Sequence, residues 1–263
     1  MHKFISGISL AFLLLMLFGC GAANLNQSLN SQPQMSIASG NWSFGASSST
    51  RAGSGPFLIG GHLEQSGHTI TGILHIASSR CFSVDKDIPV SGTIDGNAAD
   101  LTSLPVDGQT LHASITGHDA AMVGNYEFSG GCSNGDAGSL TGNLVPSISG
   151  IWNAVDTHAD KSVVGVNLAL AQSDNADGHG VYPLSGTLTF TGTSCQVSGR
   201  LSSGYVAGTI VVLNAETQEP TGSTGALRLE GDLATGNKPS ITGAFSYTAG
   251  SCKDQAGVLT FTP

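Results

Sequence analysis

The chain has 263 residues, with 9 Lys and Arg against 18 Asp and Glu, for a formal charge of −9. That balance argues against nucleic acid or an anionic membrane surface as a partner, because both repel an acidic protein. Only 10% of the residues are charged and 37 are glycine, alongside many Ser and Thr, a mixture that suits short strands and turns better than helices.

Met1-His2-Lys3 supplies one cation, and a largely apolar run follows from Phe4 to Phe18. The run is too short to cross a hydrocarbon core of about 30 Å, so it reads as a secretory signal. It closes on Leu17-Phe18-Gly19-Cys20, which resembles the lipobox of bacterial lipoproteins. The resemblance implies removal of residues 1–19, a palmitate-type lipid on Cys20 and attachment to a membrane through it. Several acyl chains exceed what stable anchoring requires. Gly21 follows the cysteine where lipoproteins retained at the inner membrane commonly carry Asp, so the same resemblance favours the outer membrane of the cell envelope. From Cys20 to residue 38, Asn, Gln, Ser and Ala dominate, the composition of a flexible tether.

The body is written twice. Ser39-Gly40-Asn41-Trp42 returns as Ser149-Gly150-Ile151-Trp152, and Thr71-Gly72-Ile73-Leu74 as Ser185-Gly186-Thr187-Leu188. Ala137-Gly138-Ser139-Leu140-Thr141 returns as Ala256-Gly257-Val258-Leu259-Thr260, in the same order along the chain. The copies run over residues 39–146 and 147–263, each of single-domain length and each expected to fold by itself.

In the first copy eight alternating segments are predicted, near residues 40–46, 57–65, 70–78, 88–95, 98–104, 110–117, 122–129 and 138–145. Leu111, Ala113 and Ile115 oppose His112 and Ser114, and Leu227 and Leu229 oppose Arg228 and Glu230, so one face of each sheet is apolar. Short connections make neighbouring strands antiparallel. The predicted class is all-β: two tandem eight-stranded meander barrels, with β-sandwiches as the alternative. A barrel has the further merit of leaving no exposed edge. A single membrane-spanning barrel of sixteen strands fits poorly, since aromatics are only 6% and cannot form two girdles. The Gly-x-Trp openings at Trp42 and Trp152 resemble the first strand of lipocalins and avidins, a calycin-like likeness of one strand per copy. As a whole the chain resembles uncharacterised duplicated all-β lipoproteins.

Besides Cys20, the chain carries Cys81, Cys132, Cys195 and Cys252. An even count in an exported protein reads as two disulfides. In a meander, loops after odd-numbered strands share one end, which pairs Cys81 with Cys132 and Cys195 with Cys252 and places a partial lid there. That end is expected to carry whatever recognition exists.

Other chemistry is sparse. Gly131-Cys132-Ser133-Asn134-Gly135 satisfies G-x-S-x-G, but no helix follows as a nucleophile elbow needs, so a turn is expected. His62, His68, His75, His112 and His118 fall in the first copy; His75 and His112 lie on outward strand faces far apart, which reads as surface histidines without a metal site. Asp174 and Asp177 sit in a fragment of a calcium loop that lacks its terminal Glu, with Leu184 in that place, in a hairpin insertion peculiar to the second copy. No catalytic residue, metal or cofactor is therefore expected. Two functions remain: a non-catalytic binding module for a small apolar or glycan-like ligand, or a structural or interaction lipoprotein of the envelope with solid barrel cores. A hydrolase is the third reading. A cavity of about 300 Å³ or more inside a barrel would favour the binding module.

Overall fold

The computed structural model describes residues 36–37, 39–50, 56–157, 163–192 and 195–263. Residues 1–35 and 38, on which the expected signal segment, Cys20 and most of the expected tether fall, lie outside the described residues. The first copy forms β1 (Gly40–Ser48), β2 (Phe57–Ser66), β3 (Thr69–Ala77), β4 (Ile88–Asp95), β5 (Ala98–Ser103), β6 (Thr110–His118), β7 (Ala121–Ser129) and β8 (Ala137–Leu144). The second forms β9 (Gly150–Thr157), β10 (Val163–Gln172), β11 (Tyr182–Gly192), β12 (Ser198–Ala207), β13 (Ile210–Gln218), β14 (Thr224–Ala234), β15 (Ser240–Ala249) and β16 (Ala256–Phe261). Every expected segment of the first copy is present, within two residues at each end.

Both copies are antiparallel meanders, and the first is a closed barrel. Its β1 and β8 pair from Trp42 opposite Leu144 to Ser48 opposite Gly138. The second runs in the order β16 to β9 and is nearly closed. Its two end strands meet at Asn153 and Thr262, whose backbones exchange hydrogen bonds of 2.7 and 2.9 Å.

Alternation decides what each barrel encloses. Along β6 Leu111, Ala113 and Ile115 are buried while His112 and Ser114 face water. The first core gathers Trp42, Phe44, Ile59, Ile76, Ile115, Tyr126, Phe128 and their neighbours, and the second gathers Trp152, Leu168, Phe190, Phe245, Phe261 and others. Each fully buried Leu, Ile or Phe contributes about 1.5–3 kcal/mol, which holds the barrels together without helices. Trp42 and Trp152 plug one end of their barrels, and the Trp152 indole N–H donates to Ile148 O at 3.0 Å. Ile37, expected in the tether, is instead part of the first core, and its N–H donates to Gln65 Oε1 at 2.8 Å. The second barrel repeats the device, Ile148 N–H donating to Gln172 Oε1 at 2.9 Å.

Each barrel carries one disulfide at the opposite end. Cys81 joins Cys132 with Cα atoms 5.6 Å apart, and Cys195 joins Cys252 at 6.1 Å. The chain leans the loops inward with help the sequence did not reveal. Gln109, 2% exposed, donates to Cys81 O at 3.2 Å and accepts from Ser133 N–H at 2.8 Å, so it ties both cystine loops together. In the second barrel the buried Glu219 accepts from Ser251 N–H at 2.5 Å, beside Cys252. Phe82 then reaches Phe128, their ring centres 5.3 Å apart, and closes the first barrel from above.

The two barrels also meet each other. The tight turn between β12 and β13 lies on β1 and β2, where a Cβ on Gly208 would stand 2.6 Å from Trp42 O and 2.7 Å from the Gly60 Cα. Asn41, 4% exposed, donates from Nδ2 to Gly208 O at 3.1 Å and accepts from Gly208 N–H at 2.5 Å. Val84, Ile210 and Val212 form a small apolar cluster of their own here, with Leu58, Ala77 and Tyr205 packed on it.

Candidate functional site

A barrel that binds a small molecule usually does so inside. The space inside the first barrel, between Phe44, Ile59, Leu74, Val90, Leu101, Leu111, Ile115 and Leu140, is about 10 Å³. That is room for about one water, against roughly 300–1,000 Å³ for a ligand site. The first barrel is filled by its own side chains.

Room exists outside. The wall of β1, β8, β7 and β6 forms an open groove of about 680 Å³ at the cystine end. Strand register builds it: Ser47 stands opposite Ser139, Ser139 opposite Asn125, and Asn125 opposite Ser114. One step toward the lid, Glu127 stands opposite His112. Because these residues occupy outward positions of their strands, Ser47, Ser139, Asn125, Ser114, Glu127 and His112 all face water. The His112 Nδ1 lies 3.3 Å from Thr102 Oγ1, and the Ser114 hydroxyl donates to Asp100. The groove thus offers hydroxyls, an amide, an imidazole and one carboxylate side by side. Such a set exchanges hydrogen bonds with hydroxyl groups.

A second, smaller hollow of about 300 Å³ lies at the Trp end of the second barrel, among Pro146, Ile148, Ile151, Trp152, Leu233, Pro239 and Pro263.

The histidines divide. His68, His112 and His118 are exposed, as expected of surface residues. His75 is not: it is 2% exposed, because the outward face of β3 is covered by the second barrel. Its Nδ1 lies 3.1 Å from Val84 O and its Nε2 3.0 Å from His179 O. A neutral imidazole has one N–H and donates to one of these carbonyls at a time, whereas the protonated ring donates to both. His62 Nδ1 lies 2.8 Å from Tyr182 Oη, again across the barrels, and its backbone N–H donates to Gly180 O at 3.0 Å. Among the described residues, no cluster of three His, Cys, Asp or Glu side chains is placed to hold a metal.

The insertion of the second copy thus acts as a clasp. Asp177 Oδ1 accepts from the backbone N–H of His179 at 2.8 Å, so this carboxylate shapes its own turn. His179 Nδ1 pairs with Asp87 Oδ2 of the first barrel at 2.7 Å, and His75 Nε2 is 3.9 Å from Asp87 Oδ1. The hydrogen bond to Asp87, then the charges of Asp87 and Asp177, hold His179 above its ordinary value of 6.5. Nearby, Tyr205 donates to Asp85 at 3.0 Å, and burial, with Asp85 adding, pushes its phenol up. For His179 a raised value means that its contribution is complete below 6.5 and fades as the pH climbs through the folded-state value. The barrels should therefore hold together more tightly near about pH 6 than near about pH 8. Urea unfolding monitored at the interface across that range tests this, and Asp87→Asn should flatten the profile; an equal slope in both proteins would remove His179 as its source.

Ser133 lies 3% exposed in the turn of the Cys132 loop, flanked by Gly131 and Gly135 at φ 53 and 75. Its hydroxyl is not presented as a nucleophile elbow requires.

No family model matches the chain, and no curated protein matches it. A solved structure of a protein of unknown function from the DUF3598 family, from Nostoc punctiforme, is similar at 12% identity and a TM-score of 0.26, with 85% of this chain and 94% of that one covered. A likeness at that level carries no argument about activity.

Proposed function

We propose that the chain is a lipid-anchored envelope protein whose first barrel binds a hydroxyl-rich, glycan-like ligand on its outer wall and does no chemistry on it. The observation that carries this reading is the contrast between an interior of about 10 Å³ and an outer groove of about 680 Å³ lined by Ser47, Ser114, Asn125, Glu127 and Ser139. An apolar ligand has no room in the first barrel, while sugar hydroxyls match the groove's donors and acceptors. Retention of the purified protein on an array of envelope saccharides tests it. Asn125→Ala with Glu127→Ala should weaken retention about tenfold or more, since each lost hydrogen bond to a charged or amide group is worth about 1–3 kcal/mol. Absence of binding to any saccharide would overturn it. The second reading, a structural lipoprotein with solid cores, is favoured by the same filled interior and would then stand.

The anchor rests on the lipobox-like Leu17-Phe18-Gly19-Cys20, and Gly21 after it favours the outer membrane. Cys20→Ser should move the protein from the membrane fraction to the soluble one. Unchanged fractionation of that variant would sink the lipoprotein reading.

A further inference from the structure

The two copies differ most where their first and last strands meet. In the first barrel β1 and β8 pair over seven consecutive positions. In the second, among the described residues, β9 meets the chain just after β16 at one bridge, Asn153 with Thr262, and no ladder joins the two neighbouring strands. Open edges of this kind are sticky unless guarded by charge or proline.

Here charge is sparse. Ile151 and Val155 on β9 and Val258 on β16 are exposed by 60%, 67% and 66%. Their counterparts in the first copy are Asn41, Gly45 and Ser139, so the second copy has β-branched residues on both sides of the seam where the first has polar or small ones. The strands around it share this character: β10, β11, β15 and β16 contain no charged residue, and β9 contains one, Asp156. The matching wall of the first barrel carries Glu64 on β2 and Glu127 on β7.

We infer that the open seam of the second barrel is a self-association surface, occupied by the same seam of a second copy. The scarcity of charge on these strands argues for this occupant. In a two-fold contact every residue near the axis meets its own copy, so any charge there would face a like charge, whereas a different partner could answer it. A head-to-tail repeat of the contact between the two barrels is ruled out by sterics. That contact needs Gly60, where a Cβ would strike the Ala207 backbone, and the corresponding residue of the second barrel is Asn167, tied to Asn153 at 2.9 Å. The pairing of two seams closes on itself and buries all six exposed side chains. The inference stands apart from the saccharide groove, which lies on the first barrel.

Sedimentation of the full chain in detergent micelles, over concentrations up to about 50 µM, tests it. A mass of two protein chains is expected, with no longer series. Amides of residues 155–157 and 256–260 should gain hydrogen-exchange protection as concentration rises. Val155→Asp with Val258→Asp lies on exposed positions and should keep the native thermal transition while raising the dissociation constant at least about tenfold. A monomer throughout the range, association unaffected by the two aspartates, or an open series of masses would each overturn the inference. So would seam-dependent adsorption of the chain to neutral lipid vesicles in place of self-association.

Discussion

Valine at Gly208 is expected to part the two barrels while leaving each of them folded. Gly208 has φ 58 and lies against backbone on two sides, Trp42 O and the Gly60 Cα, so no side chain can swing away to admit a Cβ. A β-branched residue in that conformation costs about 1–3 kcal/mol before any clash is counted. Displacing the turn also strips Asn41 of both its bonds to the Gly208 peptide, leaving a buried amide unsatisfied at about 1–3 kcal/mol. The combined loss of about 2–6 kcal/mol falls on the contact between barrels, because neither core includes Gly208. One thermal transition is expected of the native chain and two of the variant, and the radius of gyration from solution scattering should grow. One unsplit transition at an unchanged temperature would mean the contact tolerates the methyl groups. Asn41→Ala should act in the same direction with a smaller effect. By the same physics, residues 147–263 alone would expose Ile210, Val212 and Tyr205, which the first barrel covers in the full chain.

Replacing Cys195 and Cys252 together by serine should cost about 4 kcal/mol, the chain entropy released by opening a loop of 57 residues. Cys81 and Cys132 close a loop of 51 residues, so the entropic loss is similar there. The consequences should differ. In the first barrel β8 is held on both sides by ladders to β7 and β1. In the second, β16 is laddered only to β15, so the cystine beside it restrains a strand that otherwise has one full neighbour. Hydrogen exchange in residues 256–261 should therefore rise sharply in the second variant, while residues 137–144 stay protected in the first. Urea midpoints give the size of each loss. Equal protection in both variants would show that the ladder to β15 is sufficient by itself.

Much of the molecule is legible in its sequence. The period of two in Leu111, Ala113 and Ile115 reports a strand with one buried face, and glycine-rich breaks every few residues mark the turns, so the sixteen strands and their meander order follow from local rules. The repeated Gly-x-Trp and the repeated cysteine spacing divide the chain into two equivalent halves. What alternation cannot report is the fate of the outward face. His75 sits at an outward position of β3 and reads as a surface residue, yet it is 2% exposed because another barrel covers that face. The insertion around Asp177 reads as a solvent turn or a weak cation loop, whereas its backbone and His179 clasp the first barrel. Closure is equally hidden. β8 and β16 share one sequence pattern, and only their three-dimensional pairing distinguishes a sealed wall from an open seam. The groove is likewise completed by register, which sets Ser47 of β1 beside Ser139 of β8, from opposite ends of the first copy. Local periodicity is set by backbone geometry and belongs to the sequence alone; burial of an outward face depends on which other surface comes to rest on it, and that is settled only when the whole chain is folded.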